Sequence, residues 1–278
     1  MSGPQITALP GDRLHLHHGP IDVILWAEGP DRAAAYHAAA DRFSGLLEEL
    51  VGELPLLRSP LPQPLTGETA RRMARAVAPH RAGFITPMAA VAGAVADTLL
   101  AEMCAEATLS RAYVNNGGDI ALHLDPGQSL TSAIVRPGGT DSLTIRHEDP
   151  VRGIATSGWR GRSFSLGIAD SVTVLAATAA EADAHATIIA NAVDLPGHPA
   201  IHRLPANQRQ ADSDLGARLV TVGVGPLSAP ARARALDAGQ VQANALLSRA
   251  KIAGAALFLQ SDHRCTGILS LTKEPALA

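Results

Sequence analysis

Between Ala112 and Ala176 the chain shows one short strand-like run after another and no helical spacing. The runs are Ala112–Asn115, Ile120–Leu124, Ser132–Arg136, Ser142–Arg146, Ile154–Thr156, Ser163–Ser165 and Val172–Ala176. Helical spacing is gathered elsewhere. Before this block it covers DRAAAYHAAADRFSGLLEELVGEL, GETARRMARAVAPH and the stretch from Pro87 to about Ala107. After it, helical spacing returns in TAAEADAHATIIANAV and in SAPARARALDAGQVQANALLSRAKIA. A doubly wound sheet alternates strand with helix, and that alternation is missing. Strands grouped with strands and helices with helices predict an α+β fold with mainly antiparallel sheet.

The remaining pieces fit this frame. RLHLHHGPIDVILWAEG reads as a hairpin turning near Gly19-Pro20, and PLLRSPLPQPLTG as a proline-rich loop. RLVTVGVG reads as a strand, and AALFLQS with CTGILSL as a closing hairpin. Thr178 and Ser228 are expected helix caps. Gly239 either breaks the last helical stretch or lies within it. Aromatic residues make up only 3% of the 278 positions, so the core must be filled by Ala, Leu, Val and Ile. Such a core depends on close approach of backbones.

The net charge is −3, and no window joins a dense Lys/Arg cluster to aromatics, so neither nucleic acid nor an anionic membrane is an expected partner. The N-terminal stretch has no basic start followed by an apolar run. The apolar run Met88–Ala107 is interrupted by Asp97, Glu102 and Glu106, as suits a core helix rather than a membrane span. A cytoplasmic protein is expected. Cys104, in an apolar helical run, is expected to be a small buried hydrophobe, and two cysteines make no disulfide framework.

Three stretches carry candidate chemistry. In YVNNGGDIALHL, Gly117-Gly118 allows a sharp turn and close approach to the backbone. Asn115, Asn116 and Asp119 add polar groups. The same residues are also ordinary hairpin-turn chemistry. In EADAHATIIAN, Asp183 and Thr187 are four apart and share one helix face. A carboxylate and a hydroxyl so placed suit a hard cation such as Mg²⁺, while His185 points elsewhere. In GIATSGWRGRSFSLGIAD, Arg160 and Arg162 would share a strand face suited to phosphate, and Asp170 is either a turn residue or a ligand. His15 and His17 share one strand face, but no third ligand is evident, and no Ser/His/Asp arrangement can be read.

The ordered set VNNGGDIAL, GIATSG and SVTVLA…EADAHAT resembles the ApbE superfamily, whose best-known members are FAD:protein FMN transferases, and most closely a soluble branch of it. The resemblance is densest from 87 to 192. It implies a single ApbE-like domain over 1–278, with a T-fold-like α+β architecture and a flavin-nucleotide cleft. It places Asp183 and Thr187 at the family's Mg²⁺ ligands. Asn116, Gly117, Gly118 and Asp119 match the glycine turn lining the flavin site, and Thr156, Ser157 and Gly158 match the segment beside the nucleotide. Arg160 and Arg162 would hold phosphate oxygens. The implied ligands are FAD or a related flavin nucleotide and Mg²⁺, and the implied activity is FMN transfer or hydrolysis of the FAD pyrophosphate. The chain also departs from the transferase pattern. SLGIADS stands where transferases carry H-I-I-D-P-x-T-G, leaving Asp170 as the one candidate for a catalytic aspartate. VAGAVAD stands at the family's A-K-G-Y-A-x-D helix, so the lysine position is Ala92 and the aspartate position Asp97. These departures equally suit a non-catalytic ligand-binding or accessory protein, with a role beside sulfur or homocysteine assimilation implied by the branch it resembles. The Ala-rich helices leave a homodimer open.

Overall fold

The computed structural model describes residues 3–136 and 139–269. In chain order the elements are β1 (Gln5–Leu9), β2 (Arg13–His18), β3 (Ile21–Glu28), α1 (Arg32–Ser44), α2 (Leu46–Gly52), α3 (Leu54–Leu57) and α4 (Glu68–Val77). A short 3-10 turn, Pro87–Ala90, leads into α5 (Val91–Glu106). Then come β4 (Arg111–Asn116), β5 (Asp119–Leu124), β6 (Ser129–Arg136), β7 (Gly139–Arg146), β8 (Gly153–Ser157), β9 (Ser171–Ala176) and α6 (Ala179–Ala192). The chain continues through β10 (Ile201–Pro205), α7 (Ala206–Arg209), β11 (Leu219–Val224), α8 (Ala229–Ser248), β12 (Gly254–Leu259) and β13 (Asp262–Gly267). The fold is α+β, as the segregation of periodicities predicts.

Two compact units are resolved by their internal contacts. The first comprises 1–130, 146–156 and 175–185; the second comprises 131–145, 157–174 and 186–278. In the first, strands β1-β2-β3-β4-β5-β8 lie side by side, and each pair from β1 to β8 in that order is antiparallel. Val23, Leu25 and Ala27 of β3 point to the covered face, together with Ala112 and Val114 of β4. Helix α5 packs on β4 and β5 and against α1 and α4. Eight of its residues, Gly93 to Leu100 without Asp97 and then Met103, are buried. By length and composition the helical stretch Pro87–Glu106 could cross a membrane; here α5 is the core helix of the first unit. The core is built from alanines, such as Ala35, Ala39, Ala94, Ala96 and Ala121, with Phe43 the one fully buried ring among its largest side chains.

In the second unit, α8 packs on the hairpin β12–β13, and β10 pairs with β11 through a bulge between His202 and Arg203. Helix α8 runs unbroken through Gly239. A Cβ there would lie 2.3 Å from Val193 Cγ2 and 2.8 Å from Leu257 Cδ2. That glycine is a point of close packing, not a stop. Ser228 caps the helix, accepting from Ala231 N–H.

Other expectations are corrected. The helical stretch after Pro30 is divided at Gly45 into α1 and α2. Ser163–Ser165 is not a strand: Gly161 N–H turns back to Gly158 O at 3.1 Å and Trp159 N–H is held by Ala169 O at 3.0 Å, so the chain coils. Arg160 and Arg162 therefore do not share a strand face. Cys104 is exposed, because it lies on the side of α5 turned from the sheet. The last residues of CTGILSL, 270 and 271, lie outside the described residues.

Candidate functional site

The glycine turn is a two-residue hairpin. Asn116 pairs with Asp119, and Gly117 and Gly118 take φ of 65° and 113°, both in the region that a Cβ disfavours. Its polar side chains are committed to the chain itself. Asn115 Oδ1 accepts from Gly118 N–H at 2.8 Å, and Asn116 Nδ2 donates to Ala92 O at 3.1 Å. Asp119 Oδ1 accepts from Thr156 N–H at 3.1 Å, which ties the turn to the end of β8. The exposed part of the turn is the backbone of Gly117 and Gly118.

The N-termini of α5 and α6 are capped by each other. Asp97, on α5, accepts from Ala179 N–H at 3.0 Å and Ala180 N–H at 2.9 Å, the first amides of α6. Asp183, on α6, accepts from Gly93 N–H at 3.1 Å and from Ala92 N–H, in the first turn of α5. Thr178 completes the start of α6, accepting from Glu181 N–H at 3.2 Å. Carboxylates at helix N-termini satisfy orphan amides and complement the helix dipole. The crossing is pinched by absent side chains: a Cβ on Gly93 would meet Ala179 O at 2.2 Å, and one on Gly153 would meet Thr178 C and O at 2.1 Å. Glycine at these two positions lets α5 and β8 close on the backbone that starts α6.

This crossing brings Asp119 and Asp183 together. Their carboxyl groups are hydrogen-bonded to each other, and burial raises both above the ordinary carboxylate range; the Asp119 charge raises Asp183 further. Two buried acids in contact hold a shared proton, or a cation between them. Burial also pushes Asp97 up, to about 6, against the lowering effect of the two amides it accepts from. His185, two residues along α6 from Asp183, packs edge-on against His80 with ring centroids 4.9 Å apart. Among the described residues no three His, Cys, Asp or Glu side chains converge as metal ligands. His15 instead binds Asp22 Oδ1 at 2.6 Å.

In the second unit, Thr187 Oγ1 lies 3.5 Å from Ser157 Oγ. Asp170 is buried, and both its oxygens are engaged. Oδ1 accepts from Trp159 Nε1 at 3.1 Å and from Arg160 Nε at 2.6 Å, and Oδ2 accepts from Gln260 N–H. Arg160 in turn stacks over the Trp159 ring, 4.8 Å from its centroid. Arg160 is thus committed to Asp170.

A family model described as AbpE bacteria matches residues 6–265. The chain belongs to that family. It is thereby an ApbE-like protein, as the ordered motifs imply. Relatives of this family member include a UPF0280 protein of Methanothermobacter thermautotrophicus, 38% identical over 135 residues, which are 45% of this chain and 48% of the relative. A UPF0280 protein of Methanothrix thermoacetophila is 38% identical over 156 residues, 53% of this chain and 63% of the relative. The chain spans about half the length of the first of these. Among solved structures, the Pseudomonas stutzeri flavinyl transferase ApbE in its apo form superposes with a TM-score of 0.50 at 12% identity, covering 96% of this chain and 95% of that one. At that identity the likeness establishes an ApbE-type fold and no more.

Spacing along the chain does signal the Asp183 and Thr187 pair, one turn apart on α6. It gives no sign that Asp119 meets Asp183, or that Asp97 and Asp183 cap each other's helices. Those partnerships depend on which helix crosses which, and their nearest sequence signal is the placement of Gly93 and Gly153 where a larger residue would be expected.

Proposed function

We propose that this ApbE-like chain binds a flavin nucleotide together with a divalent cation and acts on the nucleotide's pyrophosphate, as a divergent Mg²⁺-dependent FMN transferase or FAD pyrophosphatase. The buried Asp119–Asp183 pair is the observation that carries the proposal. A fold that drives two carboxyl groups together away from water loses stability unless something positive lies between them. The donors are hard oxygens, with the Thr187 hydroxyl one helical turn after Asp183, so the residues fit Mg²⁺ rather than a structural zinc ion. Asp183 and Thr187 would hold the ion, with Asp119 beside them, and carbonyls, water or phosphate oxygens would complete its shell. When bound, the cation supplies charge neutralisation at the pyrophosphate.

The chain's own residues would do the rest. The open backbone of Gly117 and Gly118 admits a flat ligand close to the main chain. Thr156 to Gly158 offer hydroxyls and amides at the end of β8. The mutual capping of α5 and α6 fixes Asp183, so the ligand set is organised before anything binds. Membership of the family and the ApbE-type fold support this, and so does the flavinyl transferase activity named for the Pseudomonas stutzeri protein.

A second possibility, binding without turnover, is favoured by one observation. Asp170, the candidate catalytic aspartate, has both oxygens engaged by Trp159, Arg160 and Gln260, which leaves it poorly placed as a base. Incubation of the pure protein with FAD and MgCl₂, followed by chromatography for FMN and AMP, separates the two. Hydrolysis predicts FMN and AMP, and transfer predicts AMP with FMN covalently held by an acceptor protein supplied in the assay; either is dependent on Mg²⁺ and lost in Asp183→Asn. FAD binding without products establishes the second possibility, and failure to bind FAD refutes both.

A further inference from the structure

Along α4, within the first unit, lies a cavity of about 350 Å³. The helix supplies most of its lining. Thr69, Ala70, Met73, Ala76 and Val77 are the buried residues of α4, which packs on α5. Arg71, Ala74, Arg75 and Ala78 recur at i, i+3, i+4 and i+7, so a different stripe of the same helix faces the cavity. Arg81, just past the turn Ala78–His80, adds a third guanidinium. Gln63 and Leu65, from the proline-rich loop before α4, supply the rest.

Three arginines line this cavity and no carboxylate does. Arginines nearby in the fold are answered by acids. Arg72, next in the chain to Arg71, pairs with Glu68 at 2.6 Å, and Arg42 pairs with Glu49 at 2.8 Å. Arg75 and Arg81 are exposed and have no side-chain hydrogen bond or ion pair among the described residues. Arg71 feels the charge of Glu53, but that carboxylate is committed to the loop. Its Oε1 accepts from Thr66 N–H at 2.6 Å and from Gly67 N–H at 3.3 Å. Arg71 and Arg75 are like charges four residues apart on one helix, a mildly destabilising arrangement that an anion between them relieves. The loop side is already fixed by the Glu53 contacts and by Gln63 Nε2 donating to Ser59 Oγ at 3.0 Å, so a ligand entering has little order to impose.

We propose that this cavity binds a small diphosphate ester with a short aliphatic body. A phosphoryl group carries about −1.5 to −2 charges at pH 7, so three guanidiniums are matched by two phosphoryl groups rather than one. The apolar part of the lining is Leu65, Ala74 and Ala78, with no aromatic ring on which a base could stack. That composition favours an alkyl group over a nucleoside. A cavity of about 150 Å³ holds benzene, so the volume here admits both parts. The diphosphate lies across Arg71, Arg75 and Arg81, and the alkyl group packs against Leu65, Ala74 and Ala78. The proposal is independent of the flavin function, because neither Asp119 nor Asp183 takes part.

Isothermal titration in buffer containing EDTA and no flavin tests it, with isopentenyl diphosphate, inorganic pyrophosphate, orthophosphate and ADP as probes. Isopentenyl diphosphate should bind saturably, at least tenfold tighter than orthophosphate, and tighter than pyrophosphate or ADP. Arg75→Ala and Arg81→Ala should each weaken it at least tenfold, the loss of one charge-assisted hydrogen bond. Ala78→Glu, which puts a carboxylate into the lining, should abolish binding. All three positions are exposed, so these variants should melt with the parent. Arg249→Ala removes the same charge at an exposed position outside the lining and should leave the affinity within about twofold. Binding should also persist in Asp183→Asn; its loss there would place the ligand at the carboxylate pair and overturn the proposal. So would no saturable binding, equal binding of orthophosphate, tighter binding of ADP, indifference to both Arg75→Ala and Arg81→Ala, or an equal loss in Arg249→Ala.

Discussion

Gly93→Ala should destabilise the protein, although alanine is the better helix former. Gly93 lies in the first turn of α5, and in an open helix the change would gain up to about 1 kcal/mol. Here the new Cβ would sit 2.2 Å from Ala179 O, 2.4 Å from Ala179 C and 2.7 Å from Ala180 N. All three are backbone atoms, so no rotamer relieves the clash. Opening the closest approach to an ordinary contact of about 3.4 Å separates α5 from the start of α6 by about 1.2 Å. That displacement breaks the bonds that cross the gap: Ala179 and Ala180 to Asp97, and Gly93 to Asp183, now 2.9 to 3.1 Å long. Each of the three bonds is worth roughly 1 kcal/mol, and overpacking costs about 1–3 kcal/mol; after the helix-propensity gain the net loss is about 3–5 kcal/mol. Urea unfolding followed by circular dichroism gives the difference from the midpoint at constant slope. Gly52→Ala is the control, at a helical glycine with nothing within 4 Å of its added Cβ, and should lose nothing. If Gly93→Ala matches the parent or gains stability, the mutual capping of α5 and α6 is refuted.

Three further outcomes follow from the same contacts. Gly239→Ala should cost less than Gly93→Ala, about 1–2 kcal/mol, because the atoms its Cβ meets first, Val193 Cγ2 and Leu257 Cδ2, belong to side chains that can shift; a larger loss in urea unfolding would contradict this. Asp97 is held at about 6 when folded, above its unfolded value near 3.8. The folded state then binds more protons than the unfolded state between those values, so this residue's contribution is full below pH 4 and lost as pH rises through about 6. Allowing for its partial exposure, Asp97→Asn should remove about 1–2 kcal/mol of pH dependence from that window, and an unchanged stability–pH curve would count against it. Asp170→Asn should loosen Trp159 and Arg160 and cost about 1–3 kcal/mol, seen as a red-shifted Trp159 emission in a Trp26→Phe background, which leaves Trp159 as the only tryptophan; an unshifted spectrum would show that Asp170 does not hold the ring.

Much of the architecture was legible because apolar spacing survives wherever one face of an element is covered. β3 alternates buried and exposed residues along its length, and α4 and α5 carry broad buried faces. β1 carries no such signal: four of its five residues are exposed and the fifth is half-buried, so only its pairing with β2 defines it. β10 is short, ends in proline and has no fully buried residue. Gly239 resembles a helix stop in sequence and is a packing contact in space. The stretch around Arg160 mimics strand alternation, but Asp170 gathers Trp159 and Arg160 into a coil. For the candidate site, the helical spacing of Asp183 and Thr187 and the glycine turn could be read directly. The contact of Asp119 with Asp183 could not, because it is made by the crossing of α5, β8 and α6, far apart along the chain.

The role proposed for the buried Asp119–Asp183 carboxylates is a cation site serving a flavin nucleotide. Isothermal titration of FAD into the protein, with and without MgCl₂, in the parent and in Asp183→Asn, tests it most directly. FAD should bind at least tenfold tighter with Mg²⁺ in the parent, with no Mg²⁺ effect in Asp183→Asn. Absence of FAD binding, or an affinity that Mg²⁺ leaves unchanged in the parent, would contradict it.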